Sequence, residues 1–236
     1  MAHLFGIDHF SNSMLNTGRY PPWRPAAPRW LWHAALAALF LVAGSALLCA
    51  LAIALGATDP PRAARLAWEA AGWPNAAGIT LAPGESGWAE APVPLPADAP
   101  FTVEVRARLA PDADPGAAWG VWLETTDGAR IVYALSGEGA LTTRRCPPGD
   151  LPPALEDCPA PRPEWRWAAH PRLKPSGEIN LLAVHREQLA QVRLWINGER
   201  LGASALTPAG AWGVWWRGGR SAPAPLAWES AALYRD

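Results

Sequence analysis

The sequence predicts a mainly β protein, with one membrane-spanning α-helix near the N-terminus followed by an antiparallel β-sandwich. Three observations carry this expectation. Residues 34–57 hold no charge, and apart from Gly44, Ser45 and Gly56 each one is Ala, Leu, Val, Ile, Phe or Cys. Residues 101–109 alternate strictly between apolar and polar, as a strand with one buried face requires. Asn197-Gly198 lies between two alternating runs and supplies the residues that tolerate positive φ in a type I′ hairpin.

The apolar run comes first. A bilayer core needs about 20 apolar residues in a helix, because only intrahelical hydrogen bonds can satisfy the backbone in lipid. Pro60-Pro61 then stops the helix, since proline lacks the amide donor. Arg19, Arg24 and Arg29 precede the span with only Asp8 opposing them, whereas Asp59, Arg62, Arg65 and Glu69 nearly balance behind it. Excess Arg marks the cytoplasmic flank, so the N-terminus is expected in the cytoplasm and the C-terminal domain in the extracytoplasmic or periplasmic space, anchored in the plasma membrane. Trp23, Trp30 and Trp32, with Arg24 and Arg29, sit where interfacial anchors belong. A cleaved leader is the competing reading. Its basic region would be unusually long, and its apolar core would exceed the usual 7–15 or so residues. Ala43-Gly44-Ser45-Ala46 is a small-residue patch on which another helix could pack. His33 lies at the inner edge and reads as an ordinary interfacial histidine.

The expected organisation is a cytoplasmic arm over 1–29, the transmembrane helix over 30–57, a juxtamembrane linker or short helix over 58–77, and the sandwich over 78–236. The linker reads as helical over 59–73 because Pro60-Pro61 opens a stretch rich in Ala and Leu. Beyond Pro74 short alternating runs take over, punctuated by Pro and Gly. Strands are expected over 101–109, 119–125, 130–135 and 139–143, with a further one over 165–170. Others follow over 178–186, 191–196, 200–205, 213–216 and 226–234. Such spacing indicates an antiparallel sandwich or barrel. Ala118-Trp119-Gly120-Val121-Trp122 recurs as Ala211-Trp212-Gly213-Val214-Trp215, which reads as two strands with similar surroundings.

Composition narrows the partners. The net charge is −1, and of 20 basic residues only Lys174 is a lysine. No basic run appears, which argues against nucleic acid. High Ala, Pro, Arg and Trp content suggests a GC-rich bacterial genome. Fifteen Trp is far above usual, and Trp serves cores, interfaces and sugar-stacking platforms alike. Cys146 and Cys158 bracket a proline-containing loop and are expected to form a disulfide on the outer side of the membrane. Two cysteines without nearby His or further Cys cannot complete a zinc shell.

The order of strands resembles the concanavalin A-like lectin/glucanase jelly roll, nearest to its laminin-G-like and 3-keto-disaccharide hydrolase-like branch. The runs over 101–109, 119–135 and 180–186 carry the resemblance. So does Val192-Arg193-Leu194-Trp195-Ile196-Asn197-Gly198-Glu199-Arg200-Leu201. It spans roughly residues 78–236 and implies a fold that hosts glycosidases, lectins and structural modules. Retaining glucanases of that fold carry a Glu-x-Asp-x-x-Glu strand, and retaining hydrolysis needs two carboxyls about 5–5.5 Å apart. No such strand occurs here: Glu104 alternates with Arg106, and Glu124 and Asp127 read as hairpin polarity. His170 and His185 are isolated, with His185 read as a hydrogen-bonded surface residue. Asp112, Asp114 and Asp127 could hold calcium, yet lack the ligand series of a calcium loop. No cofactor or metal is expected, and no enzyme activity.

Trp212, Trp215 and Trp216, with Trp119 and Trp122, are the candidate binding or docking surface. Alternation puts Trp212 and Trp216 on one face and Trp215 on the other, so some of these indoles belong to the core. The leading expectation is a non-catalytic accessory or scaffold subunit docked on an integral-membrane protein complex, respiratory or photosynthetic. An arm without its own core needs a partner to order it. The alternative is a membrane-anchored surface carbohydrate-binding module with a Trp-lined concave face. A degenerate glycosidase ranks last.

Overall fold

The computed structural model describes residues 28–54, 63, 65–152, 154–161, 167–188 and 191–236. The arm, with Trp23 and Arg24, lies outside the described residues. The chain divides into two compact units, 1–57 and 58–236.

In the first unit, α1 (Arg29–Ala54) has 26 residues, about 39 Å at 1.5 Å per residue. Its Arg29–Ala52 stretch has a mean hydropathy of 2.4 and none of it is buried. It is long and apolar enough to cross a bilayer, as either a retained anchor or a leader would be. The Ser45 hydroxyl donates to the Val42 carbonyl at 2.9 Å, so the one hydroxyl in the run is satisfied within its own helix. Arg29, Trp30, His33 and Trp32 are all exposed at its start.

The second unit is an antiparallel sandwich. The first sheet runs β1 (Arg65–Ala71), β13 (Ala224–Arg235), β4 (Phe101–Leu109), β9 (Asn180–Gln188), β10 (Gln191–Ile196), β11 (Glu199–Ala205), with β2 (Ile79–Leu81) also on β13. The second runs β3 (Ser86–Glu90), β12 (Pro208–Arg217), β5 (Ala118–Thr125), β6 (Arg130–Ser136), β7 (Ala140–Cys146), β8 (Ala168–Ala169). The mainly β class and the antiparallel sandwich expected from the sequence are what the chain forms.

The expected juxtamembrane helix is corrected. Residues 65–71 are not helical: they form β1, paired with β13 from Arg65 opposite Arg235 to Ala71 opposite Ser230. Ala and Leu favour a helix locally, but Trp68 packs into the core only from an extended chain on the edge of β13. The first sheet therefore includes residues assigned above to the 58–77 linker.

The core between the sheets follows from alternation. Phe101, Val103, Val105, Ala107 and Leu109 of β4 all point inward and are buried. They meet Trp119, Val121, Leu123, Ile131, Tyr133, Trp212 and Val214 of the second sheet. The outward face of β4 is only half solvated, because Thr102 and Glu104 are buried too. Thr102 accepts the Ala63 amide at 3.1 Å and bonds the His185 ring at 2.8 Å. His185 is hydrogen-bonded as expected, but it is buried rather than on the surface.

Asn197 (φ 49°) and Gly198 (φ 86°) join β10 to β11 as the sequence requires. Asn197 does more than turn: its Oδ1 accepts the Leu181 amide at 2.8 Å and its Nδ2 donates to the Arg172 carbonyl at 2.7 Å.

The two Ala-Trp-Gly-Val-Trp segments lie side by side, antiparallel, on β5 and β12, with Val121 opposite Val214. Trp122 faces Gly213 and Trp215 faces Gly120. A Cβ on Gly213 would sit 2.8 Å from the Trp122 ring and closer still to the Ala89 carbonyl. Gly213→Ala should therefore lower stability by about 1–3 kcal/mol in urea unfolding of the full chain. Gly202→Ala, with nothing within 4 Å, should change it by no more than about 0.5 kcal/mol. Equal effects would contradict the close approach of indole and glycine.

Candidate functional site

Four of the five candidate tryptophans are core residues: Trp119, Trp122, Trp212 and Trp215 are each at most 1% exposed. Trp212 donates to the Val93 carbonyl at 2.8 Å and meets Trp68 edge-on at 5.6 Å. Trp119 meets Trp228 edge-on at 5.9 Å. Trp216 is half-buried and packs against Trp228. Trp119 and Trp212 fill the space between the sheets, and the burial of Trp119, Trp122, Trp212 and Trp215 leaves none of these four ring faces open to solvent.

Trp122 and Trp215 differ from the others because they point away from the inter-sheet core. They belong to a second apolar cluster on the outside of the second sheet, with Trp88 and Trp167 packed against it. The loop after β7 supplies its cover through Leu151, Leu155 and Cys158. The expected disulfide between Cys146 and Cys158 closes that loop. Arginines fasten it further. The Arg130 guanidinium lies 4.8 Å from both the Trp88 and Trp122 ring centres and donates to the Gly149 carbonyl at 2.6 Å. Arg144 donates to the Cys158 carbonyl at 3.2 Å.

Where this cover ends, a groove of about 940 Å³ opens between the loop and the end of the sheet. Its features are Trp167, Glu156 and Arg217, with Asp114, Glu138 and Arg220 around them. The 3-10 turn Leu155–Asp157 buries Leu155 and thereby turns Glu156 outward. Glu156 accepts from Arg217 at 2.7 Å through one oxygen and from the Trp167 indole at 2.7 Å through the other. The Arg217 guanidinium lies 5.9 Å from both the Trp167 and Trp215 ring centres. The half-buried indole is thus fixed at its N–H edge.

Glu156 and Asp114 serve the groove as hydrogen-bond acceptors. Burial pushes Glu156 up, but its hydrogen bonds to Arg217, to its own backbone and to Trp167 outweigh this and leave it below its ordinary value. The Ser221 hydroxyl and amide, and the Gly116 amide, hold Asp114 well below the carboxylate range. Asp114 is a tie between two turns, packed so closely on Gly219 that no Cβ fits there. A general acid needs a raised carboxyl, and neither of these is raised.

Asp127 closes the β5–β6 turn, accepting from Thr125 and pairing with Arg145. Among the described residues no three His, Cys, Asp or Glu gather as a metal shell would. Sequence reasoning missed Trp167, Glu156 and Arg217. The available signal was the position of a tryptophan and an acid in or beside the cysteine-bracketed loop.

No protein-family model matches the chain. No curated protein matches its sequence. Among solved structures, it is similar to the Crh5 transglycosylase in complex with NAG (13% identity, 74% of this chain and 87% of that one, TM-score 0.49). It is also similar to the metal-free Emp46p carbohydrate recognition domain (12% identity, 66% and 81%, TM-score 0.48). A third is the carbohydrate-binding module CBM66 from Bacillus subtilis (9% identity, 66% and 94%, TM-score 0.43). At these values the likeness assigns no family and no ligand.

The Glu156 clasp gives a pH dependence with a definite sign. A depressed carboxyl keeps its contribution above its unfolded value and loses it only as pH falls through the folded one. The Trp167 indole N–H signal in NMR of the full chain should therefore move with a midpoint below the ordinary glutamate value. A midpoint at the ordinary glutamate value would contradict the clasp.

Proposed function

We propose that this chain is a membrane-anchored, extracytoplasmic carbohydrate-binding protein that holds a sugar in the Trp167 groove without cleaving it. The orientation of Trp167 is the observation that carries the reading. Its indole edge is fixed by Glu156, leaving a half-buried ring beside a groove rich in donors and acceptors. A sugar presents an apolar C–H face and a rim of hydroxyls, which an aromatic plane and flanking charged groups complement.

The anchor and compartment belong to the same proposal. The apolar helix serves as a retained single-pass anchor in the plasma membrane, with the arginine-flanked end in the cytoplasm. The Cys146–Cys158 disulfide is in keeping with an oxidising space for the sandwich. The scaffold reading drew on the N-terminal arm, which lies outside the described residues, and the burial of Trp119, Trp122, Trp212 and Trp215 removes most of the surface on which the sandwich would dock.

The test uses the full chain in lipid nanodiscs on a glycan array, followed by calorimetry on whatever binds. A fragment starting at residue 78 is unsuitable, because it would strip β1 from β13. Trp167→Ala should weaken binding about tenfold, the effect of roughly 1.5 kcal/mol of ring stacking. Unchanged affinity in Trp167→Ala, or no glycan bound by the parent chain, would overturn the proposal.

A further inference from the structure

A second cavity, sharing no residue with the groove, lies between β6–β8 of one sheet and β10–β11 of the other, with a volume of about 170 Å³. Leu141, Leu194 and Leu201 give it apolar walls, and Tyr133, Thr143 and Ser204 contribute hydroxyls. Tyr133 is 2% exposed. Its phenolic oxygen is buried and makes no hydrogen bond of good geometry. Burial raises the Tyr133 phenol, with the nearby Ser204 hydroxyl easing the shift, so the group stays protonated and is a donor.

A buried donor without a well-formed hydrogen bond costs up to about 1–3 kcal/mol, so its retention calls for a reason. Tyr133 pairs with Val121 and Thr143 across its sheet, and phenylalanine would keep the same apolar body. The hydroxyl is therefore not needed to place the ring. The cavity matches in size one of about 150 Å³ that holds benzene in an aliphatic lining. Unlike that lining, this one carries hydroxyls on one side. Exposed Ala168 and Ala169 stand at its rim and offer a way in.

We infer that this inter-sheet cavity is a binding site for a small uncharged molecule with an aromatic or short aliphatic body and a single hydroxyl or carbonyl, which accepts a hydrogen bond from Tyr133. The ring-sized apolar volume selects the body, and the buried Tyr133 hydroxyl, with those of Thr143 and Ser204 beside it, selects the oxygen. Half-buried His170, whose Nδ1 accepts the Arg172 amide, is the one His, Lys, Arg, Asp or Glu of the lining, so the walls favour an uncharged ligand over a charged one that would lose its hydration.

The probes are para-fluorophenol and fluorobenzene, titrated onto the full chain in lipid nanodiscs and read by fluorine NMR against protein-free nanodiscs. Para-fluorophenol should bind saturably and about tenfold tighter than fluorobenzene, the discrimination expected from one buried hydrogen bond. Tyr133→Phe should fold normally and bring the two probes to equal affinity. Leu201→Trp should fill the cavity and abolish saturable binding of both. The inference is overturned if para-fluorophenol shows no saturable binding above the nanodisc blank, or if Tyr133→Phe leaves the preference intact. Failure of Tyr133→Phe to fold also overturns it, since the hydroxyl would then have a structural partner.

Discussion

The pairing of β5 with β12 is the constraint on which the rest of the second sheet depends. Each strand carries Trp-Gly-Val-Trp, so each sends one indole inward and one outward. Antiparallel register then sets each outward indole opposite a glycine of the neighbouring strand. The inward pair fills the space between sheets. The outward pair leaves a sheet with two apolar faces, and an exposed patch of that kind is a liability in water.

The loop after β7 answers that constraint. It is too short and proline-rich to form a layer of its own, so it is pinned at both ends by the disulfide. Arg130 and Arg144 fasten it along its length. These arginines act as packing groups as much as charges: Arg130 lies between two indoles while its donor reaches a backbone carbonyl. The cover stops at Glu156, and the groove begins there. Site and core thus share residues, since Arg217 stacks near buried Trp215 and half-buried Trp167 while it pairs with Glu156. Binding would be coupled to the packing beneath it.

Where the physics is local, the sequence was legible. Alternation over Phe101–Leu109 placed five inward side chains correctly, and Asn-Gly at 197–198 set a hairpin that the backbone angles reproduce. The cysteine pair was readable from its place around a proline-containing loop beyond the apolar span. The misses share a cause, which is dependence on distant chain. Residues 65–71 have the composition of a helix, and only β13, at the other end of the sequence, makes them a strand. Alternation could show that Trp212 and Trp215 face opposite ways. It could not show that both faces are covered, because the outer cover comes from a loop with no periodicity. Trp167 was passed over for the same reason: its importance lies in Glu156 and Arg217, which reach it from the loop and from β12.

The central claim is that the disulfide loop hides the outward indoles Trp122 and Trp215 while Trp167 stays half-buried beside the groove. Hydroxyl-radical footprinting of the full chain in nanodiscs, read by mass spectrometry before and after reduction, tests it most directly. With the disulfide intact, Trp167 should label while Trp122 and Trp215 stay silent; after reduction the latter two should label as the cover loosens. Labelling of Trp122 and Trp215 in the oxidised chain at the rate of Trp167 would contradict the account.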